Sequence, residues 1–130
     1  MLVVDASCLY EVVADGARAA RMRDRLVADP DQAAPHVVDV EVLGIIRRDL
    51  MLRRLDPTAA AQAVDDLRDW PGERFGHRLL LDRAWELRDR VRTWDGVYIA
   101  LAEVLGGTLL TLDARLGRVA GLDCPVEVAG

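Results

Sequence analysis

Apolar residues fall into short runs and helical stripes separated by charged or turn-forming segments. Leu2-Val3-Val4 stops at Asp5, and the spacing predicts a buried strand feeding a helix with Ser7 as its cap. Asp15-Gly16 opens a second helix with Ala19, Met22 and Leu26 on one face, and Asp29-Pro30-Asp31 stops it. From Val37 to about Leu55 the apolar positions recur at helical spacing. Asp56-Pro57 then caps a helix striped by Ala60, Val64 and Leu67, which Pro71-Gly72 ends. A short strand fits Arg74-Phe75. Leu80, Ala84, Leu87 and Val91 form a further helical stripe, and Thr93 begins a helix through Ala102 that Gly106-Gly107 terminates. Thr108 to Leu112 is the clearest strand; Asp113 follows, then one helical turn and a closing strand over Pro125 to Val128.

Short buried strands alternating with helices imply an α/β fold: a three-layer α/β/α arrangement around a mostly parallel sheet, because parallel neighbours need crossover connections. The chain has 130 residues, 52% of them apolar, and shows no internal repeat, linker or low-complexity tract, so a single domain over 1–130 is expected. In open sheets of this kind ligands gather beyond the carboxyl ends of the strands, where strand order reverses. Asp5 and Asp113 both close strands at that edge.

Composition removes several alternatives. All 17 bases are arginine, which excludes a lysine nucleophile, a Schiff base and the lysine-dependent P-loop. A phosphatase of the haloacid-dehalogenase type needs a second acid where Ser7 stands, and both it and a response-regulator receiver need a lysine. Cys8, Cys124, His36 and His77 share no metal-ligand or redox spacing. No window has the roughly 18 unbroken apolar residues of a membrane helix, and MLVVDAS is not a secretory start, so a cytoplasmic protein with no membrane partner is expected. A net charge of −5 opposes nucleic-acid binding by bulk charge, while leaving local arginines able to grip phosphate.

Most acids are accounted for locally: Asp15 and Asp56 open helices, and Asp65, Asp66 and Asp69 lie on a polar face. Glu41 instead projects from the apolar stripe of its helix, with Val37 and Ile45 four residues to either side. Asp95 repeats the pattern ahead of Tyr98, Ile99 and Ala102. Taken singly, each acid is equally a helix cap, a dipole partner or an internal ion-pair member. Taken together with Asp5 and Asp113, they converge at one end of the sheet if both helices begin there. Two carboxylates about 4 Å apart repel by about 4 kcal/mol at an effective dielectric of 20. A cluster of four is costly unless protons or cations neutralise it; a divalent cation is the economical answer, and oxygen ligands suit Mg²⁺ or Mn²⁺ with a phosphate-ester or phosphodiester substrate.

The opening LVVDAS, the helix APHVVDVEVLGIIRR, the segment TWDGVYIALAE and the strand LLTLDARL stand in the order and approximate spacing of a known family. On these pieces, which run nearly end to end, the sequence resembles a PIN domain of the VapC type, the ribonuclease toxin of bacterial toxin–antitoxin pairs. The resemblance implies that Asp5, Glu41, Asp95 and Asp113 form the catalytic, metal-binding set, with Ser7 and Thr111 as polar supports. It further implies a Mg²⁺- or Mn²⁺-dependent endoribonuclease leaving 5′-phosphate and 3′-hydroxyl ends, a cognate VapB-like antitoxin whose tail blocks the site, and a homodimer.

Two departures stand out. The family often carries asparagine where this chain has Arg90, which points to an altered supporting contact or substrate handling. It often carries alanine where this chain has Gly96, which points to closer ligand access at some helix cost. Arg90, Arg92 and Arg115 are candidates for holding an RNA backbone, or else belong to a solvated helix face. Trp70, Trp85 and Trp94 read as core or dimer residues rather than base-stacking platforms. The alternative to a nuclease is a catalytically inactive PIN-like module that binds RNA or a peptide.

Overall fold

A computed structural model describes residues 1–130. Its elements are β1 (Leu2–Val4), α1 (Ala6–Val13), α2 (Ala19–Ala28), β2 (Gln32–Pro35), α3 (Val37–Met51), α4 (Pro57–Asp69), β3 (Glu73–Phe75), α5 (Leu81–Glu86), α6 (Thr93–Leu105), β4 (Thr108–Thr111) and β5 (Val126–Val128). Single 3-10 turns lie at Arg78–Leu80 and Leu116–Arg118. The five strands form one sheet in the order β3-β2-β1-β4-β5, every pair parallel, with Val3 opposite Ala33 on one side and Leu109 on the other. Strand order therefore reverses between β1 and β4, the position at which α/β sheets open a crevice.

Right-handed crossovers place helices on both faces of such a sheet. On one face α1 packs against α2, α3 and α4; on the other, α6 lies across β1, β2 and β4 and is braced by α5. The three-layer α/β/α expectation holds, and the sheet is wholly parallel. Leu2, Val3, Val4, Leu109 and Leu110 are completely buried, as strands covered on both faces must be. In α6 the run Gly96 to Ala102 is buried without a break. No helix is long and apolar enough to cross a membrane.

The structure departs from the sequence pattern at definite places. β2, with Ala33, Ala34 and Pro35, has neither alternation nor strand propensity, because all three are buried between β1, β3 and the helical layers. α3 ends at Met51 rather than near Leu55; Arg53 adopts a left-handed φ of 58°, and the Asp49 carbonyl accepts from the Arg54 and Leu55 N–H groups. The stripe from Leu80 to Val91 is α-helical only over Leu81–Glu86. Trp70 is buried and donates to Gln32 Oε1, whereas Trp85 and Trp94 lie outside the core. Asp5, not Ser7, is the N-cap of α1.

Gly106 closes α6 in the left-handed region, at φ 63°, with open space where a Cβ would stand. The penalty of a side chain there is purely conformational. Gly106→Ala is expected to cost about 1 kcal/mol, read as a lower urea midpoint at unchanged slope.

Candidate active site

Asp5 leaves the end of β1 just where α1 needs a cap. Its Oδ1 accepts from the Ser7 and Cys8 N–H groups at 3.0 and 3.2 Å and from the Ser7 hydroxyl, while Oδ2 accepts from the Thr111 hydroxyl. Thr111 Oγ1 in turn accepts from the Asp113 N–H at 3.0 Å, and Ser7 Oγ accepts from the Leu112 N–H at 3.2 Å. Both predicted polar supports thus tie the ends of β1 and β4 together. Burial outweighs these bonds and raises the Asp5 carboxyl above its ordinary value.

Glu41, in the second turn of α3, points inward: Oε1 is buried and has no hydrogen-bond partner. The Tyr98 hydroxyl of α6 is equally buried and partnerless. It stands near enough to favour the charged form of Glu41, but not in normal hydrogen-bond geometry. Burial raises the Glu41 carboxyl most, and the charges of Asp5 and Asp95 add to it. Asp95 sits in the first turn of α6, also raised by burial, opposed by Arg92 at 3.4 Å and reinforced by Asp113. Asp113 follows β4 and is held below its ordinary value, first by Arg115, whose guanidinium grips both carboxylate oxygens at 2.6–3.2 Å.

The acids are near enough to act on one another: Asp5 and Asp95 on Glu41, and Asp113 on Asp95. They do not form the compact cluster expected from the sequence: no three acidic, histidine or cysteine side chains stand close enough to enclose one cation. The physical reason lies in their partners. Ser7 and Thr111 turn Asp5 into the protein, and Arg92 and Arg115 occupy Asp95 and Asp113.

Asp95 and Asp113 line a cavity of about 410 Å³ together with Arg88, Arg90, Arg92 and Arg115. Arg90 Nη1 donates to the Ala120 carbonyl at 2.8 Å, so this departure from the family anchors the segment after the second 3-10 turn. Gly96 does not open a path for a ligand. It is buried, and a Cβ there would meet the Ala84 backbone at 3.3 Å, so the glycine lets α5 approach α6. Sequence reasoning missed Arg88 and the placement of Tyr98 against Glu41; Tyr98 stands three residues after Asp95, a spacing that puts both on one helical face.

A pH dependence follows. Asp5, Glu41 and Asp95 keep protons that the unfolded chain releases above the ordinary carboxylate value near 4. Their contribution to stability is full below that value and is lost as pH rises through the raised folded one. Asp113 and Glu127, held low, act oppositely and lose theirs as pH falls below the ordinary value. In EDTA the thermal midpoint of the Asp5→Asn variant is expected to fall less than that of the parent as pH rises above about 4, measured by unfolding at a series of pH values.

The PIN domain family model matches residues 2–122. Ribonuclease VapC1 of Mycobacterium tuberculosis is 32% identical over 127 residues, covering 97% of this chain and 96% of that protein. A chain of the Rickettsia felis VapBC2 complex, bound to a DNA fragment from its promoter, superposes with a TM-score of 0.70 at 11% identity, over 99% of this chain and 98% of its own. VapC20 of M. tuberculosis, a sarcin-ricin loop cleaving toxin, gives a TM-score of 0.68 at 20% identity, over 96% and 99%. These two superpositions speak to fold alone. The family match over nearly the whole chain and the identity to VapC1 settle descent: the chain belongs to the PIN-domain family, in the branch of the VapC ribonucleases.

Proposed function

We propose that this chain is a Mg²⁺- or Mn²⁺-dependent endoribonuclease toxin, acting in the cytoplasm through Asp5, Glu41, Asp95 and Asp113 and neutralised by a VapB-like antitoxin. The observation that carries the reading is Glu41 Oε1, buried without a partner and under the charges of Asp5 and Asp95, whose carboxyls burial also strains toward protonation. Tyr98 and Arg92 favour the charged form of Glu41 without outweighing its burial, and an all-oxygen donor set fits a hard divalent ion. The ribonuclease name of VapC1 supports the same reading.

Asp5, Glu41, Asp95 and Asp113 would hold such an ion, which would supply activation of water and charge stabilisation at the leaving 3′ oxygen of an RNA phosphodiester. The oxygen of water would bond to phosphorus as the P–O3′ bond breaks, with one proton of that water passing through solvent to the departing O3′, so that the products carry 5′-phosphate and 3′-hydroxyl ends. Ser7 and Thr111 orient Asp5 for this role. The Arg92 and Arg115 side chains are themselves largely exposed, so each can exchange its carboxylate for a substrate phosphate. An apolar groove of about 630 Å³ between α3 and α4, lined by Val40, Leu43, Ile46 and Val64, offers the antitoxin a docking face. The active species is taken as a homodimer, as in the family.

Purified protein incubated with structured RNA is expected to cleave it with Mg²⁺ or Mn²⁺ and not with EDTA. Equal cleavage in EDTA would refute the metal-dependent mechanism. The second reading, an inactive RNA- or peptide-binding module, draws on the arginine pairing of Asp95 and Asp113 and on the absence of three closely grouped acids. It predicts RNA binding without cleavage under either condition.

A further inference from the structure

Trp85 projects from α5 and is 68% exposed. The Arg88 guanidinium lies 4.6 Å from its ring centroid, and Arg88 Nη1 donates to the Trp85 carbonyl at 2.9 Å, so the indole is backed on one face and otherwise open to solvent. Arg88 is also part of the wall of the cavity that reaches Asp95 and Asp113. Within that wall Arg92 and Arg115 are balanced by carboxylates, whereas Arg88 and Arg90 donate only to main-chain carbonyls. Against these two, Asp89 is the one lining acid without an arginine partner, which leaves net positive charge at this end.

An open aromatic ring beside arginines that hold no carboxylate is the chemistry that holds a single-stranded nucleic acid: the π face accepts any unpaired base and the cations take the flanking phosphates. A base inside a duplex presents no such face. We infer that Trp85, braced by Arg88, is a stacking platform for an unpaired base of the RNA substrate, with Arg88 and Arg90 neutralising the adjoining backbone. The inference rests on the nuclease reading and adds to it where the substrate enters and that it must be locally unpaired there.

The test is binding of a fluorescein-labelled single-stranded oligoribonucleotide by anisotropy, in EDTA so that nothing is cleaved. Trp85→Ala is expected to weaken binding about fivefold or more, and Trp85→Tyr to restore most of it. Arg88→Ala is expected to flatten the dependence of log K on log salt by roughly 0.7. Leu79→Ala, at an apolar residue that is 90% exposed, serves as the control and leaves binding unchanged. Equal binding by Trp85→Ala and the parent, with the parent still cleaving RNA, overturns the platform and leaves the nuclease reading standing. A loss that tyrosine does not restore, or a change of oligomeric state in Trp85→Ala by light scattering, also overturns it by assigning Trp85 to structure or to a protein interface. A parent that neither binds nor cleaves RNA removes both readings.

Discussion

Asp5→Asn is expected to reduce RNA cleavage roughly a hundredfold or more while the thermal midpoint in EDTA stays level or rises. Asparagine retains the Oδ1 that accepts from the Ser7 and Cys8 N–H groups, and it is among the best N-cap residues, so the start of α1 survives. What disappears is a buried negative charge that its four hydrogen-bond donors do not fully offset. Asp5→Ala removes the cap and strands the Thr111 and Ser7 hydroxyls, at a cost of about 1–2 kcal/mol. The pair of variants separates two roles of one side chain. Parent-like cleavage by the asparagine variant would take Asp5 out of the chemistry, and a large fall in its midpoint would make it a structural residue.

The largest loss of stability is expected from Arg83→Ala. Arg83 grips Glu103 through both carboxylate oxygens at 2.7 and 3.0 Å and donates to the Gly121 carbonyl at 2.9 Å. Glu103, whose side chain is only 9% exposed, also accepts from the Asp123 N–H. Burial alone would push its carboxyl up, but Arg83 and that N–H prevail and hold it below its ordinary value. Without the guanidinium a nearly buried carboxylate loses its cation, a change worth about 2–3 kcal/mol. The urea midpoint should fall accordingly. Adding Glu103→Gln should recover part of the loss, because no charge then remains to be desolvated. A loss below about 0.5 kcal/mol would place this contact among ordinary surface pairs.

The four acids are legible in the sequence because each breaks a local rule: Asp5 and Asp113 end apolar strands, and Glu41 and Asp95 interrupt apolar stripes. Their mutual geometry is not. Helical spacing tells which side of α3 carries Glu41, but not that Tyr98 faces it, and the bond from Thr111 to Asp5 joins residues 106 positions apart. The ion pairs Arg92–Asp95 and Arg115–Asp113 span three and two residues, yet residue types alone fit a phosphate contact equally well. β2 is illegible for another reason. Buried small residues next to two strands and a helical layer need no alternation, so Ala33, Ala34 and Pro35 carry no strand signal. Trp85 misleads in the opposite sense, since an aromatic at helical spacing fits a core that α5, only six residues long, does not bury.

β1 occupies the middle of the sheet although it precedes the other strands in sequence, and one of its two neighbours begins only at Thr108. On the ribosome, residues 2–5 must wait for more than a hundred later ones before Asp5 receives the Thr111 hydroxyl. Polypeptides that stop short of Thr111 therefore lack the strand pairing that sets this carboxylate, so its final orientation is a late event in the synthesis of this domain.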